Sequence, residues 1–140
     1  MSGVQQVTEP TEKEFAEILN LFREIPGRTC TAANYLKYLM AYWEDIAVVT
    51  VTNGDGSIIA FTQAQAPDIL EPQIGWLPFS CVSRKCKKMY SQLAQKIAEQ
   101  WLRDRGAKIC RMQTVRTKTK AFKKSWGFEV SREILMEKEL

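Results

Sequence analysis

The spacing of apolar residues divides the chain into alternating helical and extended stretches. Phe15, Ile18, Leu19 and Phe22 recur at the three-to-four-residue interval of one helix face. Thr11 precedes them as an N-cap, with Glu14 three residues on as in a capping box, and Pro26-Gly27 stops the run. A second helix starts after Thr31 and places Tyr35, Leu36, Leu39, Met40 and Trp43 on one side. Ile46 to Thr52 is β-branched and reads as a strand; Asn53-Gly54-Asp55-Gly56 is a hairpin turn, and residues 57–66 form the returning strand. After a loop at 67–72, residues 74–82 form a further strand, in which Pro78 marks an edge, a bulge or a splay.

The second half opens on a polar, basic turn, Ser83-Arg84-Lys85-Cys86-Lys87-Lys88. The clearest helix of the chain follows, with Leu93, Ile97 and Trp101 every four residues, Tyr90, Ala94, Ala98 and Leu102 beside them, and Gly106 as its stop. Residues 107–115 read as a strand with Ile109 and Met112 buried. Residues 119–126 read as a short helix closed by Gly127, with Phe128 packing back, and residues 128–138 as the last strand. A short strand over 4–8 precedes the first helix. No repeat, linker or low-complexity segment interrupts the 140 residues, which fit a single domain over 1–140. Helices alternating with strands around one mixed sheet give an α/β (α+β) class.

Composition narrows the chemistry. There is no histidine, which removes Ser-His and Cys-His catalysis. The four cysteines, Cys30, Cys81, Cys86 and Cys110, contain no C-x-x-C pair, so we expect reduced core thiols, no metal site and an intracellular, cytoplasmic protein. No apolar run is long enough to span a bilayer, and no secretory signal is read at the N-terminus. The net charge of +4 conceals a split. Residues 1–82 carry four Lys/Arg against ten Asp/Glu, and residues 83–140 sixteen against six. A basic half beside an acidic one favours an anionic ligand on the basic side, or else only a bipolar surface.

The sharpest chemical signal is the basic turn. The start of a helix presents unpaired N–H groups and the positive end of its dipole, and each cation placed there costs roughly 0.3–1 kcal/mol at low salt. Arg84, Lys85, Lys87 and Lys88 crowd that position, which makes sense around a phosphate or pyrophosphate; the alternative is a solvated turn. A second basic run, Arg116, Lys118, Lys120, Lys123 and Lys124, can hold phosphate, nucleic acid or only water.

Two segments resemble the GNAT superfamily of acyl-CoA-dependent N-acyltransferases. Residues 74–93 stand where that family has its fourth strand, pyrophosphate loop and following helix, and residues 121–128 resemble its late helix with the closing Gly-Phe. The resemblance implies a mixed central sheet flanked by helices on both faces, with strands 74–82 and 107–115 splayed around a pantetheine arm. It further implies acetyl-CoA (coenzyme A) as cosubstrate and an amine as acceptor. Carried onto this chain, it puts Cys81, Val82, Arg84, Lys85, Cys86, Lys87, Lys88, Met89 and Tyr90 along the cofactor, and Arg116 near its far end. The family's Q/R-x-x-G-x-G/A loop keeps neither glycine here: Lys88 and Tyr90 occupy those slots. Lys123 fills the slot of a tyrosine general acid, and Asp68 and Glu71 are the nearest carboxylates for a general base. The region of Tyr35, Tyr38, Tyr42 and Trp43 walls the acceptor site in the family. The competing reading is an inactive module of the same fold that contacts nucleic acid or an acidic protein through its basic half. Homodimerisation is compatible with either.

Overall fold

The computed structural model describes residues 3–113, 123, 124, 126–131 and 136–140. β1 (Gly3–Val7), β2 (Ile46–Thr52), β3 (Ile58–Gln65), β4 (Ile74–Val82) and β5 (Ile109–Arg111) form one sheet in that spatial order. β1 to β4 are antiparallel neighbours. β5 joins β4 in parallel, after the crossover that a parallel neighbour requires. That crossover is α3 (Lys88–Asp104). α1 (Glu12–Arg23) and α2 (Ala32–Ala41) cover the other face, so the mixed sheet carries helices on both sides as expected.

Local chemistry accounts for the helix ends. The Thr11 hydroxyl accepts from the Glu14 N–H at 3.1 Å, and the Thr11 N–H donates to Glu14 Oε1 at 3.0 Å, which completes the capping box. Thr31 caps α2 by accepting from the Asn34 N–H. Gly106 ends α3 with φ at 89°, a conformation that costs any residue with a Cβ.

Alternation along the strands divides the core. On β2, Ala47, Val49 and Val51 face α3, whereas Ile46 and Val48 face α1 and α2. α3 turns Ile97 and Trp101 of its apolar stripe inward but not Leu93. Leu93 is 46% exposed, and the buried side is Ser91, Ala94, Gln95, Ala98, Trp101 and Leu102. Small residues in the first turns let the helix lie close on the sheet. The approach is tightest at Gly75, where an added Cβ would stand 2.6 Å from Leu102 Cδ2.

β4 changes phase midway. Its pairing with β3 runs Gln63↔Phe79 and then Gln65↔Trp76, so Leu77 and Pro78 together oppose Ala64. This is a bulge, and it flips the side chains across the sheet. Leu77 packs on the α3 side, but Phe79 and Cys81, of the same parity, pack on the α1/α2 side. Pro78 has no N–H to give to a ladder, which explains why the irregularity falls here.

β5 is shorter than the strand expected over 107–115, and Ile109, expected inside, is 52% exposed. Cys110 and Met112 are the residues packed against the core. Lys123, Lys124 and Trp126 are helical; Gly127 has φ at 74° and donates to the Lys123 carbonyl, and Phe128 packs onto the α3-side core. Residues 128–131 and 136–138, expected in a last strand, are not in one, and the rest of that expectation lies outside the described residues.

Candidate functional site

Two features of β4 meet in one region: an edge that β5 leaves early, and the bulge. The parallel pairing consists of Ile74↔Ile109, Gly75↔Cys110 and Trp76↔Arg111. Beyond Trp76, β4 continues for six residues to Val82 with no further pairing to β5 among the described residues. Residues 114 and 115, the end of the strand expected over 107–115, lie outside the described residues.

At the far end of that edge lies the basic turn. The Ser83 carbonyl accepts from the Cys86 N–H at 3.0 Å, and the Ser83 hydroxyl accepts from the Lys85 N–H at 3.1 Å. Lys87 is the N-cap of α3 and supplies no side-chain cap, and the first turn contains no acidic residue. The helix thus starts with its dipole uncompensated by the protein, over 17 residues of aligned peptide units. Arg84, Lys85, Lys87 and Lys88 are exposed, as are Val82 and Met89; Cys81, Cys86 and Tyr90 are half-buried. Burial raises the Cys86 thiol pKa above its ordinary value, which keeps it a neutral thiol rather than a nucleophile at neutral pH.

Next to the bulge is a cavity of about 260 Å³ between α2 and strands β3 and β4. Tyr35, Tyr38, Pro78, Phe79 and Cys30 make its walls. Asn34 and Gln65 supply the polar rim. A directed chain of hydrogen bonds runs behind it. The Tyr35 hydroxyl donates to Gln63 Oε1 at 3.1 Å, Gln63 Nε2 donates to the Tyr38 oxygen at 2.7 Å, and the Tyr38 hydroxyl donates to Gln65 Oε1 at 2.9 Å. Burial raises both tyrosines above the usual phenol range; for Tyr38 the Gln63 bond works against that rise. Both are therefore neutral donors at physiological pH. Ring stacking fixes them, with Phe22 and Tyr35 centroids 4.1 Å apart and Tyr35 and Phe79 edge-on at 4.9 Å.

The carboxylates singled out in the sequence lie elsewhere. Asp68 Oδ1 accepts from the Leu70 and Glu71 N–H groups at 2.9 and 2.8 Å, closing a turn. Glu71 pairs with Arg111 at 3.2 Å. Both precede β4, whereas the basic turn follows it, and a nine-residue strand separates its ends by about 26 Å. Lys123 is an exposed helical residue. Arg116, Lys118 and Lys120 lie outside the described residues. Gln63 and Gln65 had no signal in the sequence, because polar residues in an alternating strand read as its solvent face; Asn34 had none either, and Cys30 was read only as a core thiol.

No protein-family model and no curated protein matches the sequence. Solved structures do match. The aminoglycoside acetyltransferase AAC(6')-Iy, solved with the bisubstrate analogue CoA-S-monomethyl-acetylneamine, superimposes with a TM-score of 0.74 at 12% identity, over 100% of this chain and 99% of that one. An acetyltransferase of Trypanosoma brucei gives 0.72 at 12% identity, over the whole of both chains. A transcriptional regulator from Bacillus halodurans gives 0.67 at 16% identity, over 99% of this chain and 100% of that one. The chain has the GNAT fold that these acetyltransferases share, in a divergent sequence.

Proposed function

We propose that the protein is an acyl-CoA-dependent N-acyltransferase that moves an acetyl group from acetyl-CoA to an amine. The observation that carries this reading is the cation-rich, uncapped helix start that directly follows β4. Loss of the loop glycines argues against a pure backbone cradle for the pyrophosphate. Four exposed cations within five residues offer the substitute, because lysine binds phosphate as a point charge.

In this reading the pyrophosphate lies among Arg84, Lys85, Lys87 and Lys88 and the first amides of α3, with Cys86, Met89 and Tyr90 flanking it. The pantetheine arm follows β4 past Val82 and Cys81. Arg116 meets the adenine end. From Arg84 back to Pro78 is six residues, about 20 Å along an extended strand, so an arm laid on this edge delivers its thioester at the bulge. A β4 amide at the bulge serves as oxyanion donor, and the cavity beside it holds the amine. Asp68 and Glu71 stay the candidate general bases, held by the turn over 68–71 and by the Glu71–Arg111 pair. The amine arrives neutral, and its proton reaches the departing thiolate through water; Lys123 is the candidate donor for that step, with its ammonium exposed.

Calorimetric titration tests the reading. Acetyl-CoA binds in the micromolar range, and the triple variant Lys85→Ala/Lys87→Ala/Lys88→Ala loses at least about 100-fold, since each charge-assisted contact contributes roughly 1.5–3 kcal/mol. No heat at millimolar acetyl-CoA, with salt-sensitive binding of DNA or RNA in its place, would overturn it.

A further inference from the structure

The cavity at the bulge constrains the acceptor more than the fold does. This inference rests on the acetyltransferase reading and names its substrate class. The walls are aromatic rings, a proline and a thiol. Among the described residues, neither an Asp nor a Glu lines it, although the first 82 residues carry ten of them. The rim offers neutral groups only: the Asn34 amide, the Tyr38 oxygen and Gln65 Oε1. A cation stands at one edge. Arg28 donates to the carbonyl of Cys30, a wall residue, at 2.9 Å, and its guanidinium rests 5.6 Å from the centre of the Phe22 ring that stacks on Tyr35.

Such a cavity treats cations unequally. One ammonium or amine at the rim finds neutral acceptors, which hold it without stabilising its protonated form as a carboxylate would. A second cation inside would be desolvated against rings and proline with no counter-ion, and repelled by Arg28 at the edge. The volume of about 260 Å³ lies just below the range of roughly 300–1,000 Å³ usual for small-molecule sites, which suits a single ring on a short arm.

We infer that the acceptor is a small primary amine on an aromatic or branched apolar body, with no second cationic centre. This differs from the aminoglycoside half of the analogue bound to AAC(6')-Iy, a structure with the same fold. The transfer forms the amine N–C(acyl) bond and breaks the C–S bond of the thioester. The bond pair leaves on sulfur, the amine gives up one proton and the thiolate gains one, yielding an N-acetyl amine and free coenzyme A.

The test measures thiol release from acetyl-CoA by the full-length protein with 2-phenylethylamine, 3-methylbutylamine, spermidine and kanamycin, alongside calorimetry of acetyl-CoA alone. We expect kcat/KM for the two monoamines to exceed that for either polyamine by at least about tenfold, the scale on which a pocket rejects a misfit group. The rim variant Asn34→Asp, at an exposed position that folding tolerates, narrows that ratio by giving the second cation a partner. Faster turnover of spermidine or kanamycin overturns the inference and leaves the acetyltransferase reading standing. So does acetyl-CoA binding without acetylation of any monoamine. Absence of acetyl-CoA binding removes the acetyltransferase reading, and this inference with it.

Discussion

Tyr38 links the cavity to the core through one oxygen, which accepts from Gln63 and donates to Gln65. Removing it strands Nε2 of the fully buried Gln63, whose other bond, to the Ala64 carbonyl, is long at 3.4 Å. Tyr38→Phe should therefore destabilise the protein by about 1–2 kcal/mol in urea unfolding, with an unchanged m-value. Cys110 gives a second prediction at this scale. Burial, with the Glu99 carboxylate adding to it, pushes its thiol up to about 12 from an ordinary 9.0. The unfolded chain then loses this proton near pH 9, while the folded protein keeps it until about pH 12. Stability is unaffected by this group below pH 9 and falls as pH rises through that window, by at most about 1.4 kcal/mol per pH unit. Unfolding titrations from pH 8 to 11 should show the decline, and Cys110→Ala should remove the part that begins near pH 9, leaving the share that Tyr35 and Tyr38 add at higher pH. Alkylation of Cys110 should likewise be slow at pH 8.

At the level of elements, what the sequence revealed was local. The Thr11/Glu14 box, the Thr31 cap, the Gly106 stop and the irregularity at Pro78 each depend on residues within a few positions of one another, and each stands in the structure. What it concealed depended on packing. Leu93 outranks Ser91 and Ala94 in hydrophobicity, yet α3 buries the two small residues and leaves Leu93 exposed. Ile109 was expected inside for the same reason and faces outward. Gln63 and Gln65 became site residues only when α2 covered their strand. Asp68 and Glu71 were singled out by nearness in sequence to β4, and the length of that strand keeps them from the basic turn. The α3–β4 approach is itself testable. Gly75→Ala forces a methyl to within 2.6 Å of a Leu102 side chain that has no exposed room to retreat into, and should cost about 1–3 kcal/mol, read as a lower Tm.

For the whole molecule, the acidic first half and basic second half are placed to different ends. The basic residues 84–88 gather where β4 passes into α3, and the cavity at the bulge is formed mostly by the first half. In the proposed reaction, an anionic donor held by the second half and an amine acceptor held by the first would meet at a bulged strand, β4, that ends where the two halves join. Binding of the donor should weaken with salt, as expected for exposed cations on phosphate. The most direct measurement is an amide-resolved NMR titration of the full chain with acetyl-CoA. The account predicts the largest shifts at Cys81 to Tyr90 and at Leu77 and Phe79 beside the bulge, with little change on β1. Shifts confined to other surfaces, or none at millimolar acetyl-CoA, would contradict it.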